Sequence, residues 1–379
     1  MATPTAHYLL SNTTQKVATM QHSRRAILVC LSALPTSSGL AANKGQKTAQ
    51  AAQGTKGTQA TQGTKAAYGR TATVLQFAAD VAERRHLSRA WIEKHLAQAR
   101  RSDAARRLVM PAPVASAKNW GAYRARFIEP QRINAGLVFW RDNQAWLQRA
   151  EERWGVPPQI VVGIVGVETF YGRVMGGFRL VDVLATLTFD FPSGRSDRSA
   201  FFRSELEELF VLCGRQGTDP LSLNGSYAGA MGLPQFMPSS VNRYALDFDG
   251  DGHIDLHHNA ADVIGSVGHY LASFGWERGM ATHFAVQVPE DAGQRSVLLA
   301  PDIVPSFSAV QMTERGAVLD AAGRAHAGPL ALVELHNGEQ LPPSYVAGTQ
   351  NFYVITRYNW SSYYALAVIE LGQAVLQAR

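Results

Sequence analysis

One stretch limits the fold more than any other. Residues 160–173 read IVVGIVGVETFYGR and follow Trp154-Gly155-Val156-Pro157-Pro158. Proline is pre-organised for the first position of a helix. From position 160 to 167 every residue is apolar or glycine, so no polar face can be drawn and a helix here must be covered on all sides. The run is far too short to cross a membrane. Any fold of this chain must therefore wrap other elements around this helix. At its end stands Glu168. Burial disfavours the charged form of a carboxyl and raises its pKa, and the carboxyl end of a helix dipole acts in the same direction. A carboxylic acid held neutral near pH 7 suits general-acid chemistry. The alternative is an ion pair with an arginine, Arg173 being nearest in sequence, in which case Glu168 only fastens the helix.

The chain is long enough for more than one domain. Its net charge of +6 is misleading. Residues 1–70 hold eight basic residues and no acidic one, so residues 71–379 hold 28 of the 36 basic residues and all 30 acidic ones, a net of −2. That balance does not support a nucleic-acid partner, which needs a basic face on the fold. Residues 1–42 are expected to be an export signal region, with Met20 as an alternative start: Arg24 and Arg25 precede an apolar run closed by small residues. The run SRRAIL at 23–28 resembles a twin-arginine signal. The apolar run is too short to anchor the mature chain across a membrane. Val29 is larger than the residue lipoprotein processing prefers before a cysteine, which argues against a lipid on Cys30. Residues 43–67, rich in Gly, Thr, Gln, Ala and Lys, cannot bury enough surface to order themselves and read as a flexible linker. Cys30 and Cys213 are the two cysteines. Once the signal is removed, no internal disulfide is available. Cys213 falls on an apolar helical stripe and reads as a core thiol.

The remainder reads as helix, then strand, then helix. Residues 68–282 carry helical periodicity, with a single helix expected over 133–154 and another ending at Gly214. Residues 283–345 change to short apolar runs with turn signals such as Asn337-Gly338, which predict a small β module. Residues 346–379 return to helix. The fold class is therefore mainly α (α+β). Residues 226–240, SYAGAMGLPQFMPSS, mix small residues, Met and Gln235 without a period; they suit a cleft wall or an irregular core connection. Residues 190–198 carry two arginines in a loop, either a solvated turn or a basic rim for an anionic sugar substituent.

Asp247, Asp249 and Asp251, with Gly252, follow the first half of a calcium-binding EF-hand loop. Position 12 is His258 and not Glu; Asp262 lies farther on and could close a longer loop. We expect Asp247, Asp249, Asp251, the His253 carbonyl and Asp262 to hold one structural Ca2+. The alternative is a set of Asx turns followed by helix capping from Asn259 and Asp262.

Three stretches together, GVETFYGR (166–173), SYAGAMGLPQFMPSS (226–240) and QNFYVITRYNWSSYYALAV (350–368), resemble the membrane-bound lytic murein transglycosylase B family over roughly residues 70–379. The resemblance implies a lysozyme-like helical core, about 155–282, with an additional α region and a small inserted β module. It implies a periplasmic enzyme that cleaves peptidoglycan between N-acetylmuramic acid and N-acetylglucosamine without water, leaving a 1,6-anhydromuramyl end. Glu168 would act as acid and then base, with no cofactor for catalysis. Carried over by position, Ser226 would orient Glu168 and Gln235 would contact the sugar. Tyr123, Tyr270, Tyr358, Asn359 and Tyr364 would line the glycan groove, and Arg198 would stand near the peptide-bearing part of the substrate. The chain departs from the family at 193–196, which reads as an insertion, and at Phe201, where a tyrosine is common. Glycan strands are the implied partner, along with other cell-wall enzymes. A wall-binding protein on the same scaffold would keep the groove and lose the acid; a hydrolase would add water.

Overall fold

The computed structural model describes residues 68–111 and 118–379. The expected export signal and linker lie outside the described residues. Thr71, Ser88 and Ser102 each accept a bond from a backbone N–H three residues on. This N-capping satisfies donors that have no partner inside a helix. It starts α1 (Ala72–Arg85), α2 (Arg89–Leu96) and α3 (Asp103–Leu108).

Then come α4 (Trp120–Arg124), α5 (Pro130–Asp142), α6 (Gln144–Trp154) and α7 (Pro158–Thr169). The single helix expected over 133–154 is two. Asn143 leaves helical geometry (φ −123°, ψ 21°), and its side-chain amide donates to the Phe139 carbonyl. A short polar side chain that bonds its own backbone competes with the helix in this way.

A two-residue antiparallel pair, β1 (Phe178–Arg179) with β2 (Asn224–Gly225), brackets α8 (Leu180–Phe189) and α9 (Ser199–Gln216). The expected stop at Gly214 is also displaced: α9 runs on to the left-handed Gly217 (φ 64°), where glycine carries no Cβ penalty. Arg84 and Arg85 at the end of α1 pair with Glu207 and Glu208 on α9. This joins the first helices to the later ones. Next follow α10 (Pro238–Tyr244) and α11 (Ala260–Ser273).

The sheet-bearing part has β3 (His283–Gln287), α12 (Ala292–Leu299), α13 (Ala309–Glu314), β4 (Val318–Leu319), α14 (Ala321–Ala325), β5 (Ala331–Leu335) and β6 (Ser344–Gly348). The strand order is β4-β3-β6-β5, all antiparallel. The three short helices inside it were not expected from the strand-like pattern. The chain closes with α15 (Gln350–Tyr358) and α16 (Ser362–Gln377).

The helix that constrained the fold is α7. All its residues from Ile160 to Thr169 are buried. Each fully buried aliphatic side chain contributes roughly 1.5–3 kcal/mol. Its partner is α16, and glycines set the approach. A Cβ on Gly163 would run into the carbonyl oxygen of Val368, and a Cβ on Gly372 into that of Gln159. Two backbones this close leave no room for any side chain between them.

Candidate active site

Glu168 is the second-last residue of α7 and is 5% exposed. Two consecutive non-glycine residues, Phe170 and Tyr171, then adopt positive φ (52° and 55°). Such a conformation is disfavoured for residues with a Cβ and persists only where the surroundings hold it. Thr169 supplies part of that hold: its hydroxyl donates to the Leu233 carbonyl at 3.0 Å and accepts from the Gly172 N–H at 3.1 Å. The end of α7 is thereby tied to the 226–240 segment.

That segment is a wall of turns. Ser226 N–H donates to the Ala230 carbonyl, and Ser226 Oγ accepts from the N–H groups of Ala228 and Ala230. A Cβ on Gly225 would meet the Ala230 carbonyl oxygen, so the tight loop needs glycine there. Gln235 sits at φ 49°. Its amide Nε2 donates to Gly232 O at 2.9 Å and Met175 O at 3.2 Å, which leaves Oε1 as the end of the amide available to a donor.

Glu168 has no ion-pair partner among the described residues, and Arg173 lies over the Phe170 ring at 4.7 Å. The ion-pair alternative for Glu168 is therefore not what the geometry supports. The carboxyl instead accepts one bond, from the Tyr364 hydroxyl to Oε1 at 2.6 Å. Burial pushes its pKa up to about 8, and the Tyr364 bond pulls weakly the other way. At neutral pH the carboxyl keeps its proton, Tyr364 holds one oxygen and the other is free to donate. Tyr358 and Tyr364 are themselves pushed well above the usual phenol range, first by burial and then by the nearby Glu168 charge.

Glu168 opens on a cavity of about 170 Å3. Of the residues expected from sequence, Ser226, Gln235, Arg198, Tyr270, Tyr358 and Asn359 line it. Tyr364 does not; it is fully buried behind the acid. Tyr123 does not line it either. It packs in an aromatic group with Trp120, Phe127 and Tyr363, near enough to feel the Glu168 charge. Ser226 makes no hydrogen bond to Glu168 in this structure, so the bond that orients the acid comes from Tyr364. Tyr270 donates to the Arg357 carbonyl and Tyr358 to the Pro234 carbonyl, which spends both hydroxyls on holding the wall. Arg198 lies over the rings of Phe201 and Phe202 at 4.8 and 5.4 Å. Within the loop read as an insertion, Arg195 reaches the Val109 carbonyl and joins the lining.

Glu205, Arg243, Tyr244 and Trp360 also line the cavity and were not singled out from sequence. Glu205 and Trp360 lie within runs whose helical periodicity or family likeness drew attention to other positions. Glu205 is not a second free carboxylate. Its two oxygens accept from the backbone N–H and hydroxyl of Ser239 at 2.9 and 2.7 Å.

The aspartate loop is separate from the cavity lining. Ligand oxygens of Asp247, Asp249 and Asp251 lie within 4.8 Å of one another. Backbone N–H groups of Gly250, Asp251, Gly252 and His253 also bond these carboxylates. Three hard oxygen donors converging in a glycine-bearing loop fit calcium. Asp262 is outside this group. It is fully buried, and its two oxygens accept from Phe248 N–H and Asp255 N–H, both at 2.8 Å. Asn259 caps α11 through the N–H groups of Ala261 and Asp262 and donates to Asp249 Oδ2 at 2.7 Å.

Comparison with known proteins shows the family. Residues 69–373 match the family described as "Transglycosylase SLT domain". Membrane-bound lytic murein transglycosylase B of Escherichia coli (strain K12) is 40% identical over 313 residues, which are 80% of this chain and 82% of that protein. The crystal structure of the soluble lytic transglycosylase SltB1 from Pseudomonas aeruginosa superposes with a TM-score of 0.73 at 37% identity, covering 81% of this chain and 99% of that one. The Escherichia coli lytic transglycosylase Slt35 in complex with calcium gives 0.70 at 38% identity, covering 82% of this chain and 94% of that one. A helix-rich fold with small antiparallel sheets and these likenesses lead to one conclusion: the chain belongs to the transglycosylase SLT domain family and is a lytic murein transglycosylase, a lyase acting on peptidoglycan.

Proposed function

We propose that Glu168 carries the whole of the acid–base chemistry. The observation that supports this most is its state: a carboxyl kept neutral by burial, held by Tyr364 on one oxygen and open to the cavity. Protonated Glu168 donates to the glycosidic oxygen between N-acetylmuramic acid and N-acetylglucosamine as that bond breaks. The muramyl acetamido oxygen stabilises the positive charge developing at the anomeric carbon. The Glu168 carboxylate then takes the proton of the muramyl 6-hydroxyl, whose oxygen closes onto the anomeric carbon. The acid is regenerated, no water enters, and a 1,6-anhydro ring is left. Attack from within the same sugar benefits from proximity. A hydrolase of the common kind uses a second carboxylate, and the engagement of both Glu205 oxygens by Ser239 speaks against that plan. In the groove Gln235 and Ser226 offer polar contacts to the sugar and Arg198 faces the anionic stem.

The test is digestion of purified sacculi with mass analysis of the products. Anhydromuropeptides are expected, and their loss is expected for Glu168→Gln, because proton transfer typically supplies ~10²–10⁴-fold. Products heavier by one water would favour the hydrolase, and cleavage by Glu168→Gln at the normal rate would remove Glu168 from its role.

The aspartate loop is the proposed site of one structural Ca2+, held by Asp247, Asp249 and Asp251 with the His253 carbonyl. The convergence of three carboxylates supports it, and a related enzyme is known in complex with calcium. Asp262 serves this loop best from behind, by fixing its backbone. The proposed location is the cell envelope. The arginine-led N-terminal segment supports it, and a relative described as membrane-bound is in keeping. No helix among the described residues is long and apolar enough to cross a membrane.

A further inference from the structure

The chain around Glu168 is gripped from behind by a residue that does not line the cavity. Arg132 stands in the first turn of α5 and is absent from the cavity wall. A cation in the first turn opposes the dipole of its own helix, so the dipole of α5 gives no reason for it. The side chain, 15% exposed, crosses instead to the far end of α7. One guanidinium nitrogen donates to the Gly166 carbonyl at 2.6 Å. The same guanidinium lies 4.4 Å from the centre of the Phe170 ring and 5.2 Å from that of Phe127. Gly166 and Phe170 stand two positions before and two positions after Glu168. One side chain therefore holds the chain on both sides of the acid.

Each hold has a physical reason. The last carbonyls of a helix lack a full set of partners within it. The Gly166 carbonyl accepts from the Phe170 N–H at 3.1 Å, which closes the turn that carries Glu168, and Arg132 takes its second lone pair. A cation at this end also complements the dipole of α7. On the other side, Phe170 keeps the disfavoured φ of 52°, and a guanidinium over its ring is attractive. Tyr171 follows at φ 55°. Its phenol occupies the space that a Cβ on Gly136 or Gly166 would need. The Tyr171 hydroxyl has no hydrogen-bond partner among the described residues, so Tyr171 gives the turn its shape and no polar tether. The arrangement is costly for Arg132 itself. Burial pushes its pKa below the ordinary guanidinium value, against the pull of Glu129. Its Nε has no hydrogen-bond partner among the described residues and stands 3.7 Å from Glu129 Oε1. A buried charge paired this loosely adds little to stability, which leaves the geometry at Glu168 as its use.

We propose that Arg132 is a positioning residue for Glu168, fixing the end of α7 at Gly166 and the turn after it at Phe170 so that the acid faces the cavity. The assignment rests on the acid–base role proposed for Glu168 and deepens it. Arg132 touches no substrate; it acts through the backbone on either side of the carboxyl. Proton transfer depends on the placement of the donor, and a displacement of about 1 Å costs on the order of 100-fold in rate.

The experiment compares kcat with KM on peptide-free glycan strands, well below the melting temperature of each variant. Arg132→Met removes the charge and the donor and keeps the length. Its kcat is expected to fall roughly 10- to 100-fold, with KM within about 2-fold of the parent because the cavity wall is untouched. Arg132→Lys keeps a donor for Gly166 and loses the flat face on Phe170, so its kcat should lie between the two. A residue that only supported the fold would lower the melting temperature and leave kcat of the folded enzyme alone. A parental kcat in Arg132→Met, with or without a raised KM, would overturn the proposal. Should Arg132→Met not fold, Arg132→Lys decides: a lowered kcat at parental KM supports the assignment and a parental kcat overturns it. A second arm does not depend on turnover. Each substitution is added to Glu168→Gln and titrated with the same strands. Affinity equal to that of Glu168→Gln alone is expected, and weaker binding counts against a role confined to the acid. Cleavage by Glu168→Gln at the normal rate would sink the proposed function by itself, before any Arg132 variant is read.

Discussion

At Glu168, burial without a cation makes protonation the stable state, and this has two consequences of opposite use. For catalysis the acid step needs the proton, so activity is expected to fall as pH rises through about 8. For stability the sign is adverse. The unfolded chain ionises near the ordinary value of 4.5, while the folded chain keeps the proton until about 8. Between these values the folded state binds more protons, so the Glu168 contribution is intact below pH 4.5 and stability is lost as pH rises towards 8. Glutamine has the same shape and cannot ionise. Glu168→Gln is therefore expected to be inactive yet to melt higher than the parent. The gap should be on the order of a few degrees and wider at pH 8 than at pH 5. Melting curves across that range check it, and a gap that narrows with pH would contradict the buried, uncharged assignment.

At the scale of elements, the contact of α7 with α16 is set by the absence of side chains at Gly163 and Gly372. Gly163→Ala places a methyl against the Val368 carbonyl, and backbone cannot step aside as a flexible side chain can. Overpacking typically costs about 1–3 kcal/mol, occasionally more, and a Cβ 2.1 Å from a backbone oxygen belongs at the upper end, so the helix-propensity gain of roughly 1 kcal/mol for alanine over glycine offsets only part of it. A lowered denaturant midpoint is expected, with activity reduced because Glu168 and Tyr364 ride on these two helices; an unchanged midpoint would mean that the helices can separate freely. The aspartate loop is a second element-scale case. Backbone N–H groups of Gly250, Gly252 and His253 meet part of the carboxylate charge. An ion that binds only the folded state raises stability by about 2.7 kcal/mol at one hundred times its Kd. Calorimetry with calcium and with excess chelator should show a higher melting temperature with the ion, and Asp247→Ala should erase the difference. Equal melting temperatures in the parent would leave the loop as capped turns.

For the whole molecule, β5 decides whether the sheet and the helices behave as one unit. Its residues alternate. Ala331, Val333 and Leu335 belong to the main apolar core, and Leu332 belongs to the smaller core under the sheet. The period of two along a strand puts one face in each. Further ties run from Trp120 N–H and the Tyr363 hydroxyl to the His336 carbonyl. A strand shared in this way cannot leave one core without exposing the other. Thermal unfolding of the described part is expected as a single transition, with calorimetric and van't Hoff enthalpies in agreement. Two resolved peaks would mean that the β5 seam opens on its own.

Local signals made the class of fold legible. The all-apolar run ending in Glu168, the cap at Asn259 and the change to short strands after residue 282 are written within a few residues of where they act. So were the identity of the buried acid and the three converging aspartates. The breaks at Asn143 and Gly217 were missed because side-chain bonding and packing overrode the periodicity. Contacts made across the chain stayed hidden. The donor to Glu168 is 196 residues away, and no spacing rule selects Tyr364 over Ser226 for that place. Asp262 looks like a ligand in the loop's sequence, yet folding leaves it fully buried and outside the group that Asp247, Asp249 and Asp251 form. Glu205 looks like a spare carboxylate until Ser239 is found on it. Such pairings depend on which helix faces end up together, and that is settled only when the whole chain has packed around α7.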